Sequence, residues 1–174
     1  MFIELLRKRR SIRQFEDKPV SDDHCKILIE AALRSPSSRG INPWRFVVVK
    51  DKRRIEQLSQ AKSHGAAFLK NAPLAIVVCA DTSKTDVWIE DASIAAIIIH
   101  LAAADLGLGS CWAQMRLRTR DDGSPASDYI SNILDLPEHI QVEAVIGIGH
   151  PAIEMDGHDA GTLLYDQVSY EKYS

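Results

Sequence analysis

The chain has 174 residues, of which 45% are hydrophobic and 26% charged, with a formal net charge of −3 at pH 7. This length and composition predict one folded domain over residues 1–174, and the apolar content excludes a disordered chain. A net charge this close to zero excludes an electrostatic case for nucleic acid or an anionic membrane as the main partner.

Two helices are predicted near the start, on either side of a basic segment. Residues 2–9 form a short helix with one apolar face. Ser21 caps a second helix, which continues to about Leu33. The apolar stripe of this second helix comprises Ile27, Leu28, Ala31 and Ala32.

The next four segments alternate between strand and helix. Residues 45–50 have a β-branched centre and predict a strand, and residues 51–60 predict a short solvated helix. Residues 64–72 predict another helix, which Pro73 stops. Residues 74–80 are continuously apolar and predict a strand buried on both faces.

The longest predicted helix spans residues 86–109 and ends at Gly107 and Gly109. From Ala92 onward it is apolar nearly all round, which indicates a central helix or one packed into a subunit interface. Its apolar block is too short to span a membrane, which needs about 20 residues. No secretory signal is recognisable in the first ten residues.

The last third of the chain also contains both predicted strands and predicted helices. Residues 110–114 are a short extended piece, residues 127–136 are a helix closed by Pro137, and residues 141–149 are a third strand. Residues 150–174 look irregular. Mixed helices and strands with long connections predict an α+β or α/β sheet protein.

The first candidate site is the basic segment, in which arginine groups and a hydroxyl lie close together. Its members are Arg9, Arg10, Ser11 and Arg13. Guanidinium groups suit the bidentate recognition of phosphate, and serine adds a donor. The alternative is a solvated charge run at the end of a helix, where cations are favoured.

The second candidate site is a loop of small polar residues before the first strand. Its members are Pro36, Ser37, Ser38, Arg39 and Asn42. Such groups match the donors and acceptors on the edge of a heteroaromatic ring, and a positive charge there stabilises an anionic reduced ring. The alternative is an ordinary loop, and for Trp44 at its end we favour a role as core anchor.

The third candidate site follows the long helix and contains Trp112, Gln114 and Arg116. Glycines before it allow close approach of a ligand, a main-chain N–H of Trp112 or Gln114 can face a ring, and Arg116 can add charge. A helix end followed by a strand is the alternative, but it leaves Arg116 and Arg118 unexplained.

Other polar residues have simpler explanations. His100 is interpreted as a satisfied core or interface histidine, and His64 as a surface residue. Acidic residues at positions 90 and 91 complement the helix dipole. Cys111 lacks a partner that would make it a nucleophile. The scattered cysteines indicate reduced thiols in the cytoplasm, and we expect neither a metal site nor a catalytic side chain.

Four motifs together resemble the nitroreductase-like FMN-dependent oxidoreductases. They are RRSIRQF, PSSRGINPWRFVVV, EDASIAAIIIHLAAADLGLGSCWAQ and GIGHP, and they occur in the family's order over essentially the whole chain. The chain is most similar to the short subgroup with SCWxQxR and a tyrosine-containing tail. It departs from the family at Gly40 and Asn42, and its tail lacks the usual basic pair, for which Arg116 is a candidate replacement.

This resemblance implies an α+β fold, with a mainly antiparallel central sheet surrounded by helices, and an intertwined homodimer with FMN at the interface. Arg9, Arg10, Ser11 and Arg13 would hold the phosphate, the ribityl chain and the pyrimidine edge. The loop 36–39 would come from the partner subunit, and Trp112 with Gln114 would lie near flavin N5. These roles are implied by the resemblance alone.

The implied activity is ping-pong hydride transfer from NAD(P)H through flavin N5 to a nitroaromatic, a quinone or a similar small-molecule acceptor. Three alternatives stay open. The first is other flavin chemistry on the same fold, such as dehalogenation or flavin fragmentation. The second is a non-catalytic flavin-binding sensor, and the third is a dimer that has lost FMN.

Overall fold

The computed structural model describes residues 1–173, and in that range five α-helices surround a four-stranded sheet. The helices are α1 (Phe2–Lys8), α2 (Asp22–Leu33), α3 (Lys52–Ser59), α4 (Trp88–Asp105) and α5 (Ala126–Ile133). The strands are β1 (Trp44–Val49), β2 (Leu74–Asp81), β3 (Gly109–Gln114) and β4 (Ile140–Gly149). Short 3-10 turns occur at Ser38–Gly40, Ala67–Asn71, Ala160–Thr162 and Tyr165–Gln167.

The sheet has the strand order β1-β2-β4-β3, and every neighbouring pair is antiparallel. This arrangement confirms the predicted α+β class. Strand β2 is buried along its entire length, as its continuous apolar sequence predicts. Strand β3 lies at one edge, so one side of its backbone is available to groups outside the four strands.

Two apolar cores lie on the two faces of the sheet. One face packs against α2 and α4, and the other packs against α3, α5 and the 67–71 turn. In α4 the residues facing the sheet are mostly alanine, which lets the helix approach closely. Ile94 and Ile97 on the same helix are 38% and 42% exposed, in keeping with an apolar surface beyond the sheet-facing stripe.

Three local predictions were wrong in detail. Residues 64–72 form only the 3-10 turn 67–71, because Gly65 adopts a φ of 78° that interrupts a helix. The 110–114 piece belongs to a full strand of the sheet, so the 140–149 strand is the fourth. In α2 the buried residues are Cys25, Leu28 and Ala32, and the predicted stripe residue Ile27 is 45% exposed.

The end of α4 also differs from the predicted boundary. The helix ends at Asp105, and Gly107 then takes a φ of 72° while its N–H donates to the carbonyl of Ala104. Gly109 begins β3 instead of ending the helix. Across residues 1–173, none of the helices is both long and apolar enough to cross a membrane.

Candidate functional site

The basic segment after α1 lies along the outer edge of β3. The N–H of Ile12 donates to the carbonyl of Ser110 at 2.9 Å, and Ser11 forms a parallel bridge with the same residue. This approach needs a glycine at position 109, because a Cβ there would lie 2.7 Å from Cγ2 of Ile12. This contact with β3 places the first candidate site beside the third.

A buried histidine on α4 positions Arg9. Nη1 of Arg9 lies 2.9 Å from Nε2 of His100, and Nδ1 of His100 is hydrogen-bonded to the hydroxyl of Ser110. Burial, and then the nearby charge of Arg9, lower the pKa of His100 to about 4. The imidazole is therefore neutral at pH 7. Because arginine can only donate, Nε2 accepts and the proton of the ring lies on Nδ1.

A neutral partner leaves the positive charge of Arg9 uncompensated. Eight ion pairs occur within residues 1–173, and none of them includes Arg9, Arg10 or Arg13. Arg10 instead donates to the backbone carbonyl of Asp156. The guanidinium groups of this segment are therefore not used in ion pairs within the protein, and the cluster is suited to binding an anionic ligand.

A cavity of about 400 Å³ lies beside this cluster. Arg9 and Arg10 line one side, the turn 107–109 lines another, and most of the tail segment 151–157 lines a third. The tail brings the acidic residues Glu154 and Asp156 to the cavity wall, and it brings no basic residue there.

The second candidate site, the loop 36–42, is held mainly by bonds within itself. The Ser37 hydroxyl donates to Oδ1 of Asn42 at 2.6 Å, and it accepts from the Asn42 N–H at 2.9 Å. Arg39 and Asn42 have φ values of 52° and 53°, an uncommon conformation for residues other than glycine. The side chain of Arg39 is exposed, as is that of Pro36.

A buried carboxylate on α4 fixes this loop. Oδ1 of Asp91 accepts the N–H of Ser38 at 2.8 Å, and Asp91 is only 2% exposed. The helix-dipole explanation for Asp91 was therefore incomplete. Asp91 and His100 are nine positions apart in α4, which is roughly 14 Å along the axis. Within one chain, the loop and the Arg9 cluster thus contact different parts of α4.

The third candidate site is a hydrogen-bonded chain along β3 and β4. Nε1 of Trp112 donates to Oε1 of Gln114 at 2.9 Å, and Nε2 of Gln114 donates to Oε1 of Glu143 at 3.0 Å. Burial raises the pKa of Glu143, although the bond from Gln114 and the charge of Arg116 act in the opposite direction. Arg116 lies 5.8 Å from the ring centroid of Trp88.

The backbone of Trp112 faces the outer edge of the sheet. The carbonyl of Ser110 points outward to Ile12, whereas the N–H of Met115 points inward to the carbonyl of Glu143. In an antiparallel strand, the backbone N–H and C=O groups of successive residues face alternately toward and away from the neighbouring strand. The backbone groups of Trp112 and Gln114 therefore face away from β4. Their N–H groups lie on the same edge as the arginine segment.

The sequence indicated most of the polar residues of this region but not the hydrogen bonds that they form. His100 is satisfied, as expected, but its bond to Arg9 joins residues 91 positions apart in the chain. Glu143 was not recognised, and its only signal is a charged residue within an apolar strand. Trp44 is 7% exposed and stacks on Phe46 at 5.5 Å, which agrees with a core anchor.

Comparison with known proteins identifies the family. The model of the nitroreductase family matches residues 6–67 and 59–150. The chain belongs to the nitroreductase family. Its sheet edge, its arginine segment and its long central helix are thus features of a family member, and the resemblance inferred from the four motifs is confirmed.

Individual relatives extend over the whole chain. An FMN-dependent nitroreductase from Clostridium difficile R20291 is 46% identical, covers 98% of this chain and 99% of its own, and superimposes with a TM-score of 0.96. A protein from Archaeoglobus fulgidus, provisionally named as an NADH dehydrogenase/NAD(P)H nitroreductase, is 35% identical over 98% of both chains.

A third relative was solved with FMN. It comes from Desulfovibrio desulfuricans, is provisionally named as a nitroreductase, and is 26% identical over 99% of this chain and 98% of its own, with a TM-score of 0.80. The names of these relatives agree with the cofactor and the electron donor that the sequence predicts.

Proposed function

We propose that this chain is an FMN-dependent NAD(P)H oxidoreductase of the nitroreductase type, which reduces nitroaromatics, quinones or similar acceptors. The observation that carries the proposal is the cluster of Arg9, Arg10 and Arg13, which forms no ion pair in the described residues and borders the edge of β3. FMN, named for one close relative and bound in another, has the phosphate that such a cluster suits.

Each part of the arginine segment has a distinct proposed role. Arg9 and Arg10 line the cavity and would donate to the phosphate, with Ser11 as a further donor. Neutral His100 would keep Arg9 oriented without neutralising it. Arg13 follows Ile12, whose N–H bonds to Ser110 of β3, and it would face the pyrimidine edge of the ring.

The outer edge of β3 would hold the ring itself. The outward N–H of Trp112 is the proposed donor near N5, with Gln114 next along the edge. The amide of Gln114 already bonds to Trp112 and Glu143, so its side chain would position the indole instead of contacting the ring. Arg116 lies past the end of β3, beside Trp88, so we propose a contact on the ring side and not at the phosphate.

A second subunit would complete the site. The loop with Pro36, Ser37, Ser38 and Arg39 is fixed to α4 roughly 14 Å from the Arg9 contact. We therefore propose that each ring receives this loop, with Asn42, from the partner in a homodimer. The exposed Ile94 and Ile97 of α4 would be buried in the same interface.

Bound FMN would supply the redox chemistry, taking hydride from NAD(P)H and passing the electrons to the acceptor in a ping-pong sequence. The chain would bind the phosphate, orient the ring and stabilise negative charge on it with arginine. None of these tasks requires an acid or a base, so no catalytic side chain is proposed.

The first experiment is an absorbance spectrum of the purified protein, followed by identification of the released cofactor by mass. We expect flavin bands, FMN near one per chain, and bleaching of the bands by NAD(P)H without oxygen. Colourless protein that also fails to take up added FMN would overturn the proposed function.

A second experiment tests the shared site. Light scattering of the FMN-bound protein should give the mass of a dimer. A monomeric mass with FMN still bound at one per chain would contradict the role of the partner's loop, while leaving the arginine segment as the phosphate site.

A further inference from the structure

A second cationic patch lies outside the arginine segment, in the segments that follow α3 and β3. The N–H and hydroxyl of Ser63 both donate to the carbonyl of Thr119, at 3.3 Å and 3.4 Å. These bonds tie the segment containing Lys62 to the loop containing Arg118. We call Lys62 and Arg118 the cationic pair.

The cationic pair brings two like charges together without an acid to balance them. None of the ion pairs within residues 1–173 includes either side chain. Lys62 is partly buried, and burial, followed by the charge of Arg118, lowers its pKa. The charge of Arg118 disfavours the charged form of Lys62, and an anion bound between the two groups would offset this repulsion.

The position of the pair connects it to the proposed ring site. Lys62 and Arg13 both lower the pKa of the buried Cys111 thiol, although burial raises it overall. Arg118 follows the end of β3 by four residues, and its N–H donates to the carbonyl of Met115 at 3.1 Å, so the pair lies beside the end of the strand at which the ring is proposed to bind. The cavity that Arg9 and Arg10 line does not include Lys62 or Arg118, so the pair is separate from the phosphate cavity.

An apolar side chain lies next to the pair. Leu117 is 75% exposed, and it has a φ of 56°, which is uncommon for a leucine. Cationic groups beside an exposed apolar side chain suit a ligand that is itself both apolar and anionic.

We propose that Lys62 and Arg118 recognise an anionic substituent, a carboxylate or a sulfonate, on a planar aromatic electron acceptor, with Leu117 contacting its apolar body. This inference rests on the proposed function and narrows its acceptor class. Both cationic residues would be specificity determinants, and neither takes part in the transfer of electrons.

Binding can be tested without turnover, with naphthalene-2-sulfonate and the neutral naphthalene-2-sulfonamide as matched ligands. Calorimetry of the purified protein should show that the sulfonate binds about tenfold more tightly, with a preference that declines as salt is added. The Lys62→Met/Arg118→Gln double variant should lose this preference. Lys26→Met, which removes an exposed cation on α2, should retain it.

Steady-state kinetics provide the second measurement, with 4-nitrobenzoate and its neutral methyl ester as acceptors. In the double variant we expect KM for 4-nitrobenzoate to rise about tenfold while its kcat changes little. Equal affinity of the native protein for sulfonate and sulfonamide would overturn the inference and leave the oxidoreductase proposal intact.

Two other outcomes would also overturn it. Weaker FMN binding in the double variant would assign the pair to the cofactor, and a raised KM for NADPH alone would assign it to the electron donor. Failure of the proposed function is distinguishable, because it appears as protein that takes up no FMN, whereas the sulfonate preference is measured independently of FMN.

Discussion

The arginine segment and the loop 36–42 are both rich in polar groups, and both contact α4, but they use those groups differently. Arg9 contacts a neutral histidine, and none of the segment's arginines forms an ion pair with a carboxylate in residues 1–173. In the loop, Ser37 and Asn42 bond to each other, and Asp91 accepts the N–H of Ser38.

The difference shows which groups remain available to a ligand. The segment offers uncompensated guanidinium groups, so it can bind an anion without first breaking an internal ion pair. The loop offers a fixed backbone shape and the exposed Arg39, because the side chains of Ser37 and Asn42 already have partners. A composition rich in donors is therefore a poor guide to which donors are free.

The largest expected effect comes from removing charge in the segment. Replacing Arg10 and Arg13 together by alanine should weaken FMN binding about thousandfold, as expected for two lost charge-assisted contacts. The measurement is a fluorescence titration of apoprotein with FMN, with Arg53→Ala on α3 as the matched control. Unchanged affinity in the double variant would remove the segment from the phosphate site.

How far sequence predicts such a site depends on the distance between partners in the chain. The apolar pattern predicts β2, which is buried along its length, and α4, which is apolar on its exposed face as well as its buried one, because each leaves a continuous signal over local residues. The bond from Arg9 to His100 spans 91 positions, and only the folded sheet brings those residues together. The turn at Gly65 was missed because a single positive φ overrides a helix-like composition.

The neutral state of His100 gives the next prediction. Since its pKa is lowered to about 4, the folded state binds fewer protons than the unfolded state between pH 4 and about 6.5. Its contribution is complete above pH 6.5, and about 3 kcal/mol is lost as pH falls to 4. Urea unfolding at several pH values should show this slope, and His100→Gln should flatten it. Equal slopes in the two proteins would mean that Arg9 has no neutral partner.

The loop provides the opposite kind of test, because its polar groups are bonded to other groups of the protein. Replacing Asp91 by alanine leaves the Ser38 N–H without its acceptor in a partly buried site, so the free energy of unfolding should fall by about 2 kcal/mol. Asp91→Asn keeps an acceptor oxygen and should lose less. Urea unfolding at pH 7 measures both variants, and equal losses would show that charge, not the hydrogen bond, is what matters there.

The smallest expected effect concerns Glu143 of β4, which accepts a hydrogen bond from Gln114 of β3 and so belongs to the third candidate site. Its Oε1 accepts from Gln114, while Oε2 is buried with no hydrogen-bond partner in the described residues. Because burial raises its pKa, the ionised carboxylate opposes folding increasingly as pH rises above the ordinary value of 4.5. Glu143→Gln keeps the acceptor and removes the charge, so the protein should gain about 1 kcal/mol at pH 7 and little at pH 4. Thermal unfolding at the two pH values measures the difference. A loss of stability at pH 7 would instead show that the charge of Glu143 balances Arg116, and the third site would then resemble an internally compensated ion pair.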